Sequence, residues 1–273
     1  MRKILLCLCI FMYTTSQAQF YYFPFPPTAK EYKLIENSGA KICYEYVLDN
    51  GQKQLSHVLE YGSLGLPVML YEKSTNMDGD SITSVETTYK YKDLQLIAEI
   101  INDKEYDEET DIGYTYDDKN RLIKKLIASI DPATYTFKYD SKGRISEQLI
   151  DTKMPEVDSA GDPTDKSFDK PSSKSTFIYD GDNRLVEEWI YTLEDESANN
   201  GDPFLKVKWY YNDKGQINKI TNEDHTGEVN FIMELFYNDK GLLSKKTEEY
   251  KIDEVKIEYS YEYCNDCQQS WMQ

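Results

Sequence analysis

The chain has 273 residues, with 31 Lys and Arg against 49 Asp and Glu for a formal net charge of −18, two His and 24 Tyr. That balance disfavours nucleic acid and anionic membrane surfaces as partners: both are bound by clustered basic residues, and here the basic residues are interleaved with more numerous acids. Neither histidine lies in a Ser, Cys or metal-ligand pattern, and the glycines are spaced singly rather than as a phosphate-cradling cluster, so no catalytic constellation is legible.

Residues 1–18 read as a secretory signal peptide. Arg2 and Lys3 form the positive start, Ile4 to Tyr13 is an apolar core too short to span a bilayer, and Ser16-Gln17-Ala18 supplies small residues for cleavage after Ala18. Removing two cations leaves 29 basic residues against 49 acidic, a balance of −20. The expected location is therefore exported: periplasmic, cell-surface or secreted. No other stretch approaches the roughly 18 apolar residues of a membrane span. Residues 19–40 are an aromatic and proline-rich lead-in, whose Phe20 to Pro27 is expected to be extended, either lying over the first hairpin or serving as a tether. No segment of any length has clear helical periodicity.

Residues 41–273 read as a single β domain. Its first hairpin turns at Asn50-Gly51, the residue pair suited to a type I′ turn, which places Asp49 opposite Gln52, Tyr46 opposite Leu55 and His57 opposite Tyr44. Tyr61 to Gly65 and Tyr89 to Ile97 look like degenerate copies of a unit that recurs more clearly toward the carboxyl end, the second pairing Tyr91 with Ile97. Five clearer copies begin at Tyr114, Phe137, Phe177, Trp209 and Leu235. Each reads aromatic or aliphatic, any, Tyr, Asp or Asn, two polar residues, Gly or Asn, any, aliphatic. Asp or Asn suits the start of a type I turn, and Asn120, Gly143, Asn183, Gly215 and Gly241 stand where the closing residue must take positive φ. Each copy is a β-hairpin with a bulged three-residue loop. The repeated Tyr then faces an aliphatic residue six positions on: Tyr116 and Leu122, Tyr139 and Ile145, Tyr179 and Leu185, Tyr211 and Ile217, Tyr237 and Leu243.

The pattern resembles the YD repeat of the RHS family, Tyr-Asp-x-x-Gly-Arg-Leu, matched most closely at Tyr116–Leu122, Tyr139–Ile145 and Tyr179–Leu185. The resemblance implies a continuous antiparallel ribbon that can spiral into a hollow shell. Residues 153–174 and 194–203 read as longer loops. An antiparallel sheet with one apolar face cannot leave that face in water. With too few copies for a large shell, the expected fold is an all-β meander curled into a half-barrel or short shell segment.

Processing leaves Cys43, Cys264 and Cys267. In an oxidising compartment a disulfide is expected: Cys264 with Cys267 would pin the terminal turn, and Cys43 with either would join the chain ends. No cofactor and no metal site is expected. The leading functional expectation is a non-enzymatic binding or surface-interaction module for a glycan or protein at the cell envelope. Tyr210 and Phe236, on the wetter face of their strands, are candidate contacts. The alternatives are an accessory or carrier related to toxin-enclosing shells, and a carbohydrate hydrolase that uses paired carboxylates.

Overall fold

A computed structural model describes residues 29–75, 81–129, 132–157, 163–193 and 201–265. Helix α1 (Ala29–Ser38) precedes sixteen strands. They are β1 (Ile42–Asp49), β2 (Gln52–Tyr61), β3 (Pro67–Thr75), β4 (Ser81–Lys92), β5 (Gln95–Asp103), β6 (Glu108–Tyr116), β7 (Leu122–Ala128) and β8 (Ala133–Tyr139), then β9 (Ile145–Val157), β10 (Pro163–Tyr179), β11 (Leu185–Thr192), β12 (Leu205–Tyr211), β13 (Ile217–Asp224), β14 (Val229–Tyr237), β15 (Leu243–Tyr250) and β16 (Val255–Cys264).

Each strand pairs antiparallel with its chain neighbour, and β1 pairs with β16 from Ile42↔Cys264 to Leu48↔Glu258. The sheet is a closed barrel. This corrects the expected half-barrel or short shell segment, while the all-β meander stands. The difference lies in strand number: the degenerate copies before Tyr114 contribute whole hairpins, and sixteen tilted strands suffice to bring the last beside the first. Closure also removes the two edges that an open sheet would expose.

A round barrel of this strand number holds an aqueous channel in porins. Here the inward side chains are dry all round the ring, from Val207 and Ile220 at 0% exposure to Phe177 at 8%. The wall therefore encloses a packed core. Ile35 of α1 belongs to that core, and Leu34 packs against it. The segment Ala29 to Glu36 is rich in good helix formers, but its apolar stripe is one turn long, too short to register as a periodic signal. The helix stops at Gly39, in the left-handed region at φ 72°, whose N–H donates to the Glu36 carbonyl at 3.1 Å. At Gly65 in the β2–β3 turn, an added Cβ would lie against the Tyr32 carbonyl and 2.7 Å from the Glu36 nitrogen. The helix thus sits backbone-to-backbone on one rim.

The repeated turns all lie on this α1 rim, whereas Asn50 and Gly51, at φ 49° and 79°, turn the chain on the opposite one. One of the two longer connections differs from the sequence reading. Much of 153–174 is strand, because β9 runs to Val157 and β10 starts at Pro163. Proline is accommodated there at a strand start and, at Pro171, beside a register shift. Of 194–203, residues 194–200 lie outside the described residues.

Candidate functional site

The inside of the barrel is built by the repeat. Tyr116 pairs with Leu122, Tyr139 with Ile145, Tyr179 with Leu185, Tyr211 with Ile217 and Tyr237 with Leu243. Their turns carry positive φ at Asn120 (61°), Gly143 (79°), Asn183 (62°), Gly215 (73°) and Gly241 (79°). The Tyr hydroxyls reach beyond their own hairpins. Tyr116 donates to the Leu96 carbonyl, Tyr139 to Leu122, Tyr179 to Ile145, Tyr211 to Leu185 and Tyr237 to Ile217, at 2.6–2.9 Å. Each bond ties a hairpin to the one before it. Burial pushes Tyr116, Tyr139 and Tyr179 up to about 12, so these hydroxyls stay protonated and keep donating.

A second stitch runs along the same rim. The Nε of Arg121, Arg144 and Arg184 donates to Asp117, Asp140 and Asp180 of its own turn at 2.7 Å. Each guanidinium also stands over the next repeat's ring: Arg121 over Tyr139 and Arg144 over Tyr179 at 4.5 Å, Arg184 over Tyr211 at 5.0 Å. In the last two copies Gln216 and Leu242 occupy the Arg position. There Gln216 donates across to the Gly241 carbonyl at 2.9 Å instead. The degenerate copy pairs Tyr91 with Leu96, not with Ile97. Its turn is only Asp93 and Leu94, both at positive φ, which leaves Ile97 as the extra residue of a bulge.

One turn further in lies a belt of buried polar side chains that the sequence reading missed. It stands three residues after each repeated aliphatic: Glu99 after Leu96, Lys125 after Leu122, Gln148 after Ile145, Glu188 after Leu185 and Lys246 after Leu243, with Ile220 taking the place after Ile217. An offset of three faces outward in a regular strand, but the bulge adds one residue and turns it inward. The constant offset was the available signal. Across the hairpins these groups face buried apolar or aromatic partners, Tyr89, Tyr114, Phe137, Phe177, Trp209 and Leu235.

The belt contains three acid clusters. At the seam, Glu45 on β1 is 2% exposed, accepts from the Tyr261 hydroxyl of β16 at 2.7 Å, and lies 2.6 Å from His57 Nδ1 and 3.8 Å from Lys246 Nζ. Lys246 pairs in turn with Glu248 at 2.9 Å. Burial pushes Glu45 up, but Lys246, His57 and Tyr261 together outweigh it and hold the carboxyl below its ordinary value. Burial pushes His57 down, and Glu45 and Glu72 outweigh it and raise the imidazole. Each partner thus favours the charged form of the other. His57 faces Glu45 rather than Tyr44 because Ser56 is the extra residue of a bulge in β2. Ser56 Oγ lies 2.8 Å from the same Nδ1 that meets Glu45, so these three side chains are not arranged as a nucleophile, base and orienting acid in series.

Further round the barrel, Glu99 accepts from the Tyr114 hydroxyl at 2.5 Å, with Lys125 facing Tyr114 from the next strand. Here burial dominates, raising Glu99 and lowering Lys125, which pushes both toward their neutral forms. The third acid is Glu188, 3% exposed, whose carboxyl is raised to about 7 by burial against a single opposing hydrogen bond from Ser175. A raised carboxyl contributes its full share of stability below its ordinary value of 4.5 and loses it as pH rises through 7. Glu188→Gln is therefore expected to stabilise the protein by about 3 kcal/mol at pH 8 and to leave it unchanged at pH 4, read from urea midpoints at both values.

Inward acids beside aromatic rings are one feature of a carbohydrate hydrolase. Glu45, Glu99 and Glu188 are 2–3% exposed, and lysine stands beside the acid in two of the three clusters. Among the described residues no three of His, Cys, Asp and Glu come together as metal ligands. Cys43 is a buried free thiol whose pKa burial raises, whereas Cys264 is disulfide-bonded; Cys267 lies outside the described residues.

No family model and no curated protein matches the chain. Among solved structures it is similar to a porin-like protein from Bacteroides uniformis, at 14% identity and a TM-score of 0.50, covering 82% of this chain and 98% of that one. A porin-like protein from Bacteroides vulgatus aligns at 10% identity and a TM-score of 0.32, over 82% of this chain and 98% of its own. A TcdB2–TccC3–Cdc42 complex aligns at 13% identity and 0.31, over 82% of this chain and 13% of its own. The first likeness is one of fold.

Proposed function

We propose that this is an exported, water-soluble barrel that acts without catalysis as a binding or surface-interaction module at the cell envelope, built from YD-like hairpins. The observation that carries the reading is the outer wall. It presents cross-strand ion pairs: Lys208, midway along β12, with Glu223 at 2.7 Å, Lys245 with Glu258 in the middle of β16 at 3.1 Å, and, nearer the rims, Lys138 with Glu147 at 2.6 Å and Lys53 with Glu262. A transmembrane barrel turns an apolar band to the lipid, where each Lys or Arg at the midplane costs about 2–4 kcal/mol. Here ion pairs face outward and the main apolar core lies inside, with one apolar cluster of Ile42, Val58 and Tyr71 on the outer face of β1–β3. Export follows from the amino-terminal pattern of residues 1–18.

The mature chain from Gln19, refolded without detergent and mixed with phosphatidylcholine liposomes, is expected to stay in the aqueous fraction on flotation as a monodisperse species. Stable co-flotation, with protease protection of the strands, would contradict the reading.

A further inference from the structure

The outward pair next to each repeated Tyr and its partner is the place where the copies differ. Going round the barrel it is Lys90 and Ala98, Thr115 and Lys124, Lys138 and Glu147, Ile178 and Glu187, then Tyr210 and Lys219, then Phe236 and Lys245. Only the last two of these copies place a ring opposite a lysine. Both rings are open to solvent, Tyr210 at 44% and Phe236 at 45% exposure. Lys219 Nζ stands 5.8 Å from the Tyr210 ring centre and Lys245 Nζ 5.9 Å from that of Phe236. A third ring, Trp189, faces outward on β11 with Lys206 Nζ at 5.3 Å.

The sheet places these rings on a diagonal track. Tyr210 and Phe236 lie two strands and two residues apart, about 12 Å, and Trp189 lies one strand and four residues, about 14 Å, on the other side of Tyr210, so that the track bends there. The strands beneath are held by the main-chain ladder, so the spacing is rigid. The charge along the track is balanced: Lys245 pairs with Glu258, Lys208 with Glu223, and Glu187 accepts from the Trp189 Nε1 at 2.8 Å. Surfaces that bind a polyanion carry unmatched cations, and the net charge of −18 would repel one. Rings with a lysine ammonium over one face and the other face left for C–H surfaces, with carboxylates nearby to bond hydroxyls, complement an extended uncharged polyol.

We infer that the outer face of β11–β15 binds a neutral polysaccharide along Trp189, Tyr210 and Phe236. This rests on the binding-module reading and supplies its ligand class. The test is affinity electrophoresis of the mature chain from Gln19 in gels containing a soluble β-glucan, a xylan, a mannan or polygalacturonate. Retardation by at least one neutral polysaccharide is expected, unchanged when salt rises about tenfold. Tyr210→Ala and Phe236→Ala are each expected to weaken it about tenfold, and the double variant about a hundredfold, with unchanged melting because both rings point into solvent. Leu126→Ala, equally exposed on β7, is expected to change nothing. Absence of retardation in every neutral gel, retardation by polygalacturonate alone, or equal retardation of the ring variants would overturn the inference. A chain that stays off liposomes yet is not retarded refutes only the glycan; one that inserts into them refutes the soluble barrel as well.

Discussion

Glu45→Ala is expected to be the most damaging single substitution in the barrel wall, lowering unfolding free energy by about 3–5 kcal/mol, because it strands buried charge at the one place where strands far apart in sequence must meet. The seam between β1 and β16 has no connecting turn. Glu45 bridges it through Tyr261 on β16 and Lys246 on β15, and holds His57 on β2. Removal takes from His57 and the Tyr261 hydroxyl their shared buried acceptor and leaves Lys246 with Glu248 alone. The exposed ion pair of Lys138 and Glu147 is the contrast: Lys138→Ala is expected to shift the urea midpoint by no more than measurement error.

The same cluster sets a pH window. A depressed carboxyl contributes its full share above its ordinary value of 4.5 and loses it as pH falls through the lower, folded value; a raised imidazole contributes its full share below 6.5 and loses it as pH rises through the higher, folded value. The seam's contribution is therefore greatest between these two ordinary values and falls on both sides. Glu45→Gln is expected to flatten that profile in urea midpoints taken from pH 3 to 9; an unchanged profile would place the pH dependence elsewhere.

Gly65→Ala is expected to cost about 2–5 kcal/mol and to loosen α1. The residue sits at φ 71°, which costs a side-chain-bearing residue about 1–2 kcal/mol. Its new Cβ would also meet backbone of α1 at Tyr32 and Glu36, which cannot swing aside as a side chain can. Overpacking of that kind adds about 1–3 kcal/mol. Gly143→Ala separates the two effects. Its φ of 79° is equally demanding, but nothing lies within 4 Å of the added Cβ, so only the backbone strain remains. Because Ile35 is buried in the common core, displacement of α1 should raise protease cleavage between 38 and 42 in the Gly65 variant alone.

The all-β meander was legible because turn chemistry and two-residue alternation are local. Closure was not, since it depends on Ile42 meeting Cys264 across the whole chain, and on counting weak hairpins such as Tyr61–Gly65 as full strands. The belt was hidden by a parity error of the same origin at every copy: a bulge shifts Glu99, Lys125, Gln148, Glu188 and Lys246 to the inner face. His57 was misplaced likewise, by counting straight through Ser56. The Asn50-Gly51 hairpin keeps a Tyr46 and Leu55 pair, yet that pair lies on the outer face with Tyr44, Val58 and Tyr71, away from the repeated tyrosines. Among the described residues, helix α1 carries Leu34 and Ile35 to the core, a stripe too short for a periodic pattern.

The most direct test of the closed barrel is a cysteine pair across the seam. Leu48 and Glu258 face each other on the outer surface of β1 and β16. Leu48→Cys with Glu258→Cys is expected to form a disulfide in the folded protein on mild oxidation, detected by the altered gel mobility of the intact chain and without loss of the folded baseline. Two thiols that stay freely reactive in the folded protein would show that the first and last strands do not meet, and the sheet would be open after all.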